Sequence, residues 1–346
     1  MNYQAAPAEK SSKVCSLCHS STILKYQAHP GYQQPTEYDI YHCEHCNTSF
    51  ADPHCVDEQL YNMIYSRSLL IPSYRRYATY AQAVLQQRDP LVYLAHSEDM
   101  YWGVYQVIAR NDSSTLNVLD IGSGLGYLTY ALNHHGIKTR GIDISEEAVA
   151  KSQQLYGDYF ICDNIYEYAQ KSPEQYSLIV MCEVIEHVED IVSFLQVADT
   201  LLAPGGSLVI TTPNKSLYPA SIIWHTAPPP VHLWWLSEES FTSLAENFGY
   251  AAEFIDYAVF NTAYGATNIP NHKPNVPTRS YVLDPHGDLY VQPGFKHRIK
   301  SWLKEVHIYD MLQKYKNGLL ARFRSTNQQQ SRRRGTLCVV LTKPIK

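Results

Sequence analysis

The 346-residue sequence predicts an α/β fold built on a doubly wound sheet, and three observations lead to this prediction. From residue 116 onward, short apolar runs alternate with segments of helical apolar spacing. A glycine-rich turn, "GSGLG", follows the first of these runs. Two paired-cysteine motifs near the N-terminus mark a smaller unit ahead of the sheet. We therefore expect a zinc-ribbon-like domain, a helical connector or cap, a core, an insertion and a final core strand, at residues 1–55, 56–112, 113–260, 261–335 and 336–346.

Composition narrows the class of protein. The chain has 28 Lys+Arg against 33 Asp+Glu, a balance that argues against a nucleic-acid partner. No apolar run approaches the roughly 18 residues of a membrane span, and residues 1–13 lack the apolar segment of a secretory signal. We expect a cytoplasmic protein without membrane association, in which the eight cysteines are reduced. The sequence leaves its oligomeric state open.

Four cysteines have the spacing of a structural zinc site. They form two C-x-x-C pairs separated by a strand-like region: Cys15, Cys18, Cys43 and Cys46. Each pair offers two thiolates to a tetrahedral ion, and two pairs close the site without an open position for catalysis. Strand-like composition at 22–24 and 38–42, with a turn between them, gives the layout of a zinc ribbon. Three neighbouring histidines could replace one cysteine as a ligand: His19, His42 and His45.

The connector is predicted to be helical. Residues 57–70 and 73–89 have helical apolar spacing, interrupted at Pro72 and Pro90. Residues 99–111 predict the helix that precedes the first core strand. Several tyrosines of the connector either pack onto the core or line a cleft: Tyr61, Tyr65, Tyr74 and Tyr77.

The core begins with strand 117–121, helix 127–134, strand 139–144 and helix 145–155, the last with Ser145 as its N-cap. Ligands of such a fold bind at the carboxyl ends of the strands. The glycines of the first turn are spaced G-x-G-x-G, and Tyr127 stands where a dinucleotide fingerprint requires its third glycine. Asp120, at the first strand tip, would repel a pyrophosphate and attract an ammonium or sulfonium group. Asp143, after the second strand, can accept hydrogen bonds from both hydroxyls of a ribose.

A cationic amino-acid end joined to a ribose describes S-adenosylmethionine (SAM), and here the sequence resembles the class I SAM-dependent methyltransferases. The resemblance rests on five motifs in order: "LDIGSGLG", "GIDIS", "FICDNIYEY", "YSLIVMCEVIEHVED" and "LLAPGGSLVITTPN". It covers about 117–258 and resumes at "TLCVVLTKP", and it implies a Rossmann-like sheet of seven strands. The cysteine motifs ahead of this core resemble those of a subgroup that methylates small molecules and sugars.

The resemblance also implies a set of cofactor-binding residues: Asp120, Gly122, Gly124, Gly126, Asp143, Ile144, Asp163, Asn164 and Glu183. In this set, Asp163 would meet the adenine amino group, a role that Asn164 could take instead. Two alternatives stay open, because Asp120 could be a capping or loop-bonding residue and Asp163 a turn residue at a strand end.

The catalytic prediction concerns a general base beside the transferred methyl group. The segment "CEVIEHVED" places Glu186 and His187 at the end of strand four, and His187 is the leading base because its ordinary pKa suits proton removal near neutrality. Alternatively, His187 only orders the turn. His232 is the second candidate, on a proline-stiffened loop after strand five that also carries His225, Trp234 and Trp235, the tryptophans being predicted to pack.

Three further expectations concern the C-terminal half. Ser237 is predicted to cap a helix with an incomplete capping box, since Ser240 replaces the usual Glu or Gln. Strand six is predicted at 251–259. The insertion at 261–335 is predicted to form a lid or acceptor-binding region, or to be disordered. Its arginines make a basic patch that receives a phosphate of a nucleotide-sugar or is simply solvated: Arg322, Arg324, Arg332, Arg333 and Arg334.

The function expected from these features is methyl transfer from SAM to a hydroxyl of a sugar, glycan precursor or other small polar metabolite. C-methylation of a nucleotide-sugar and nucleic-acid methylation with the zinc ribbon as reader are the alternatives. The acidic balance, the few basic residues around the cysteines and the missing Asn-Pro-Pro-aromatic motif oppose nucleic acid. The intact glycines and Asp143 oppose a non-catalytic binding protein.

Overall fold

Two β-sheets organise the chain, a four-stranded sheet near the N-terminus and a seven-stranded sheet in the core. The computed structural model describes residues 13–57, 59–60, 63–64, 71, 74–172, 174–218, 227–267, 281–290 and 332–345. Some residues invoked above lie outside these ranges: Tyr61, Tyr65, Pro72, His225, Arg322, Arg324 and two parts of the insertion, 268–280 and 291–331. No helix in the described ranges is long and apolar enough to cross a membrane.

The elements follow one another in chain order. The strands are β1 (Ile23–Pro30), β2 (Glu37–His42), β3 (Ser49–Asp52), β4 (Asn117–Ile121), β5 (Lys138–Asp143), β6 (Phe160–Cys162), β7 (Tyr176–Cys182), β8 (Leu202–Pro213), β9 (Trp234–Trp235), β10 (Ala251–Phe254) and β11 (Thr336–Thr342). The helices are α1 (Arg75–Ala83), α2 (Pro90–Ser97), α3 (Asp99–Ile108), α4 (Tyr127–His134), α5 (Glu146–Tyr156), α6 (Ile165–Lys171), α7 (Ile191–Leu201), α8 (Glu238–Phe248) and α9 (Ala258–Tyr264). Short 3₁₀ turns include Ile185–His187 and Lys215–Leu217.

The seven-stranded sheet has the order β10-β11-β8-β7-β4-β5-β6. Strands β6, β5, β4, β7 and β8 are parallel to one another, and β11 is antiparallel to both β8 and β10. The strand order reverses at β4, which has β5 on one side and β7 on the other. In open α/β sheets a ligand binds in the crevice at such a reversal. The predicted doubly wound, Rossmann-like sheet of seven strands is confirmed.

The local rules that predicted the first core elements operate as expected. Strand β4 and helix α4 have the predicted bounds, and β5 and α5 differ from prediction by one residue at each end. Ser145 is the N-cap of α5, where its hydroxyl accepts a hydrogen bond from Ala148 N. Residues 178–181 of β7 are fully buried, as expected for a parallel strand covered by helices on both faces.

Pro90 interrupts the helical pattern, as predicted, and it also begins helix α2, because Asp89 caps the new helix and proline suits its first position. Two other local predictions were wrong for identifiable reasons. The capping box of α8 is complete, because the Ser240 hydroxyl accepts from Ser237 N just as a Glu or Gln side chain would. Strand six ends at Phe254 and not at 259, because the Asp256 carboxylate accepts from Ala258 N and starts α9.

The small sheet is completed by a strand from the core. Its order is β1-β2-β3-β9, and β9 pairs antiparallel with β3 through Ser49 with Trp235 and Phe50 with Trp234. Both tryptophans are buried, which confirms that they pack. One apolar core runs from this sheet into α8, so the zinc-ribbon-like segment shares its interior with the methyltransferase-like core.

Candidate active site

The glycine turn between β4 and α4 leaves an open space against the backbone. All three glycines have positive φ, at 72° for Gly122, 51° for Gly124 and 74° for Gly126. A Cβ at Gly126 would lie 2.6 Å from the Phe160 ring, so this glycine allows close packing. A Cβ at Gly124 would meet nothing within 4 Å. A ligand can therefore approach the Gly124 backbone closely, as the sequence predicted.

Asp143 lies at the end of β5 and holds this turn. Its Oδ2 accepts from Gly124 N at 2.7 Å and its Oδ1 from Ser145 N at 2.9 Å. Burial raises the pKa of Asp143, while these backbone donors oppose the shift. A carboxylate has about four acceptor positions, so acceptor capacity remains for ribose hydroxyls. The next residue, Ile144, is 72% exposed and offers an apolar surface beside the carboxylate. Both features fit an adenosine.

Asp120 points into the protein. It is buried, and its Oδ2 accepts from the Thr129 hydroxyl of α4 at 2.7 Å. Burial raises its pKa to about 7. This is a structural bond to helix α4, neither a helix cap nor a bond to a loop, and a direct contact with the cationic end of SAM stays a prediction.

Asp163 and Asn164 form the turn after β6. Asp163 accepts from Asn164 N at 3.0 Å and pairs with Lys171 at 3.1 Å. Asn164 caps α6 by accepting from Glu167 N at 2.8 Å. Both residues therefore have structural partners, and their contact with adenine stays a prediction.

Glu183 follows β7, and it combines a strained backbone conformation with a buried carboxyl group. Its φ is 54°, a left-handed value that is rare for a residue with a side chain and that often marks a functional site. Its amide donates to Thr211 O at 3.0 Å, which fixes the residue in this conformation. Its Oε1 is buried and has no hydrogen-bond partner among the described residues. Burial and, next, the charge of Asp99 raise the pKa of Glu183 to about 8, against an opposing effect of Arg76.

The structure brings the predicted catalytic residues together. One possible ligand atom from each of Glu186, His187 and His232 lies within 4.8 Å of the others, and the two imidazole rings are 4.7 Å apart in a T-shaped arrangement. Leu233 N donates to Glu186 O at 2.8 Å, so the loop after β8 is fastened to the turn after β7. A carboxylate and two imidazoles at this separation could also bind a divalent metal ion.

The tautomer and charge of His187 follow from its contacts. Its Nδ1 faces the Val231 carbonyl, which can only accept, so Nδ1 carries a proton, and the Glu183 carbonyl is a second backbone acceptor beside the ring. Burial lowers the pKa of His187 to about 4. The ring is therefore neutral near neutrality, but it is a weaker base than the ordinary imidazole on which the sequence prediction rested. Glu186 is fully buried, and burial together with the nearby Glu183 raises its pKa well above the ordinary range. Its Oε2 accepts from the Thr212 hydroxyl at 3.0 Å.

The four predicted cysteines converge on one point. The sulfurs of Cys15 and Cys46 are 3.6 Å apart and those of Cys18 and Cys43 are 3.4 Å apart. Four thiolates about 2.3 Å from a tetrahedral zinc ion lie about 3.8 Å from one another, so the group suits zinc. His42 is bonded to the Ser49 hydroxyl instead, and within the described ranges this group contains cysteines alone.

Some predicted or overlooked residues have roles that the sequence did not reveal. The described arginines of the predicted basic patch are ion-paired within the protein: Arg332 with Asp256, Arg333 with Glu238 and Arg334 with Asp99. Arg332 is 83% exposed, so the solvated interpretation holds for it, whereas Arg334 is 17% exposed and is held inside the protein by its ion pair.

The sequence analysis also missed Lys215, which is fully buried next to the cysteine group, although a lysine two residues after a strand could have drawn attention.

A doubly wound sheet with a G-x-G-x-G turn and an acidic residue after its second strand defines the class I SAM-dependent methyltransferases. In agreement, residues 91–253 match the family model described as a methyltransferase domain. This match covers just under half of the chain and shows that residues 91–253 form a methyltransferase domain.

Individual proteins are similar over part of their length. The human mitochondrial ubiquinone biosynthesis O-methyltransferase is 30% identical over 168 residues, which is 43% of this chain and 45% of that protein. The ubiquinone biosynthesis O-methyltransferase of Coxiella burnetii is 35% identical over 106 residues, 29% of this chain and 44% of that protein. The chain thus spans just under half the length of these curated relatives. A solved SAM-dependent methyltransferase of Archaeoglobus fulgidus covers 69% of this chain and 91% of its own, with 15% identity and a TM-score of 0.40.

Proposed function

We propose that this protein transfers the methyl group of SAM to a hydroxyl of a small polar metabolite, of the sugar or glycan-precursor class. The observation that carries the proposal is the grouping of Glu186, His187 and His232 next to the glycine turn. The two sites adjoin, since a Cβ at Gly122 would lie 2.5 Å from the Val184 side chain, between Glu183 and Glu186.

The cofactor side is assigned to groups with matching chemistry. Asp143 accepts from the ribose hydroxyls, Ile144 covers one face of the adenine, and the open side of Gly124 admits the amino-acid portion. When bound, SAM supplies an electrophilic methyl on a sulfonium cation. That positive charge lowers the pKa of the buried Glu183 carboxyl and favours its ionised form. The orphaned Oε1 of Glu183 is then balanced by an opposite charge.

On the acceptor side, methylation requires that the acceptor hydroxyl lose its proton. The acceptor oxygen forms a bond to the methyl carbon as the carbon–sulfur bond breaks, and His187 Nε2 takes the hydroxyl proton. The products are a methyl ether and S-adenosylhomocysteine (SAH). The Val231 carbonyl stabilises the imidazolium that results, because it accepts from Nδ1. His232 orients the hydroxyl from the other side of the pocket.

The acceptor class rests on two supports. The curated relatives are named as O-methyltransferases of ubiquinone biosynthesis, which favours a small-molecule hydroxyl over nucleic acid. The cysteine motifs resemble those of enzymes acting on small molecules and sugars. C-methylation of a nucleotide-sugar loses support, because the described arginines that would hold its phosphates are already paired.

The test is a transfer assay with methyl-labelled SAM and the zinc-loaded full chain. The acceptor panel contains monosaccharides, glycosides, phenols, nucleotide-sugars and RNA, and product masses locate the label. We expect label on a hydroxyl of a small acceptor, with loss of transfer in His187→Gln. Label in RNA alone, or on carbon, would contradict the proposal.

A further inference from the structure

The second cysteine pair is enclosed by residues of the core. The carbonyl of Cys46 accepts from two hydroxyls of α8 and its cap, Ser237 and Ser240, both at 3.1 Å. Ser240 also bonds the Thr48 hydroxyl at 2.7 Å. The first pair is held as well, because Asn247 of α8 donates to Leu17 O at 2.7 Å. The core therefore supplies contacts that surround the cysteine group.

Lys215 is the charged member of this surrounding shell. It follows Asn214, the first residue after β8, and it is 0% exposed. Its ammonium donates to Oδ1 of Asn47, the residue that follows Cys46. An ammonium buried in this way is costly unless negative charge lies nearby. Its charged or ionisable neighbours are, in decreasing order of effect, the carboxylate of Glu239, the thiol of Cys46, the ammonium of Lys25 and the thiol of Cys43. Glu239 is exposed, so solvent screens it, whereas both thiols are buried.

A zinc ion bound by four thiolates carries a net charge of −2, since each thiolate contributes −1. We propose that Lys215 is the buried counter-charge of this four-cysteine centre, and that the centre thereby fastens the loop carrying His232 to the core. The assignment explains why a fully buried lysine stands at the point where the core meets the second cysteine pair. It makes Lys215 a positioning residue with no contact to the transferred methyl group.

The connection to the acceptor pocket runs through main-chain hydrogen bonds. Strand β3 begins three residues after Cys46 and pairs with β9. Ala51 N donates to Leu233 O at 2.9 Å, next to His232. Lys215 N donates to Leu236 O at 2.9 Å, so the same loop is bonded from its other side. Loss of the metal centre should therefore loosen residues 231–236 and leave the glycine turn unaffected.

The first experiment measures zinc affinity by chelator competition in wild type, Lys215→Met and the matched control Lys343→Met. Lys343 is also bonded within the core, to Asp199, but away from the cysteines. We expect Lys215→Met to weaken zinc binding by about 10- to 100-fold, the usual effect of losing an outer-shell partner. The control should stay within about twofold of wild type. Equal zinc affinity in wild type and folded Lys215→Met would overturn the proposal, as would wild type that binds no zinc.

A second variant, Asn47→Gly, tests the role of Lys215 if Lys215→Met does not fold. Asn47 has a φ of 55°, which glycine adopts without strain, so Asn47→Gly removes the acceptor that orients Lys215 together with one long, exposed hydrogen bond, of 3.4 Å, to Glu239. We expect weaker zinc binding here also, and unchanged binding would contradict the role of Lys215.

The second experiment compares amide hydrogen exchange in zinc-loaded and zinc-free wild type. Faster exchange at 231–236, with unchanged exchange at 122–126, is expected. Equal protection of 231–236 in both forms would refute the coupling to the His232 loop. Neither readout depends on methyl transfer, so failure here is distinguishable from failure of the proposed function.

Discussion

The two edges of the proposed active site are built in different ways. The cofactor edge, comprising the glycine turn and Asp143, comes from one continuous strand–turn–helix–strand unit between residues 117 and 143. The acceptor edge combines the turn after β7 with a loop whose His232 lies 45 residues beyond His187, and β3 of the zinc-ribbon-like sheet holds that loop in place. A site within one supersecondary unit can be predicted from the sequence, whereas a site assembled from distant segments depends on tertiary packing.

The edges also differ in which polar groups lack a hydrogen-bond partner. On the cofactor edge, Asp143 and Asp120 both accept hydrogen bonds, and the buried Ser123 hydroxyl of the glycine turn has no partner among the described residues. Where the two edges meet, Oε1 of the carboxyl groups of Glu183 and Glu186 likewise has no such partner, and Glu183 has positive φ. Buried orphaned atoms and strained backbone persist where a ligand completes the structure. A ligand is therefore expected against both edges, with the ionisable groups concentrated where they meet.

The largest effect is expected from the histidines of the acceptor edge. His187→Gln should lower kcat by about 10²- to 10⁴-fold, the usual contribution of a general base. SAH affinity should not change, since the ring is not on the cofactor edge. Single-turnover methyl transfer with the identified acceptor measures this, with His232→Gln as the matched variant. A greater loss in His232→Gln than in His187→Gln would move the role of base to His232.

The next effect concerns the cofactor edge. Asp143→Ala removes the acceptor of two backbone amides and of the ribose hydroxyls, so SAH should bind about 100-fold more weakly, or about 2.7 kcal/mol. Calorimetric titration measures the change. Asp112→Ala is the control, because Asp112 also accepts from a backbone amide, that of Ser114, but away from the site. Unchanged affinity in Asp143→Ala would remove Asp143 from the cofactor site.

Loss of the zinc ion is expected to have a smaller effect, at the acceptor edge. Cys43→Ser should release zinc and slow acceptor turnover by about tenfold, while SAH affinity stays within about twofold of wild type. The measurements are the zinc content, the turnover rate with the acceptor and the affinity for SAH. Cys55→Ser serves as control, since Cys55 is exposed and lies outside the cysteine group. Stoichiometric zinc retained by Cys43→Ser would count against the site, and a loss of SAH affinity would show that the edges are not independent.

The smallest effect is a pH dependence of stability in the small sheet. Burial lowers the pKa of His29 to about 4 from the ordinary 6.5. The unfolded chain therefore takes up this proton before the folded protein does, and stability that is complete above pH 6.5 is lost as pH falls toward 4. Relative to His29→Gln, wild type should lose about 1 kcal/mol of unfolding free energy between pH 6.5 and 5.5. Urea unfolding at both pH values tests this, and parallel pH dependences would contradict the burial of His29.

The same distinction explains what the sequence could predict. Strand β4, helix α4, the Ser145 cap and the four cysteines depend on local periodicity and spacing, and their positions were predicted closely. Strand β9 has only two residues and exists because β3 offers a partner, so no local pattern marks it. Ser240 completes a capping box through a hydroxyl instead of a longer side chain. No local pattern predicts the proximity of His187 and His232; it was implied only by the family resemblance, which placed both residues beside the transferred methyl group.

The most direct measurement is a calorimetric titration of the zinc-loaded full chain with SAH, with NADH as the control ligand. The G-x-G-x-G turn, the open side of Gly124 and the acceptor groups of Asp143 predict saturable binding of SAH and none of NADH. Failure of SAH to bind to protein shown to be folded and zinc-loaded, or saturable binding of NADH, would contradict the assignment of this site to SAM.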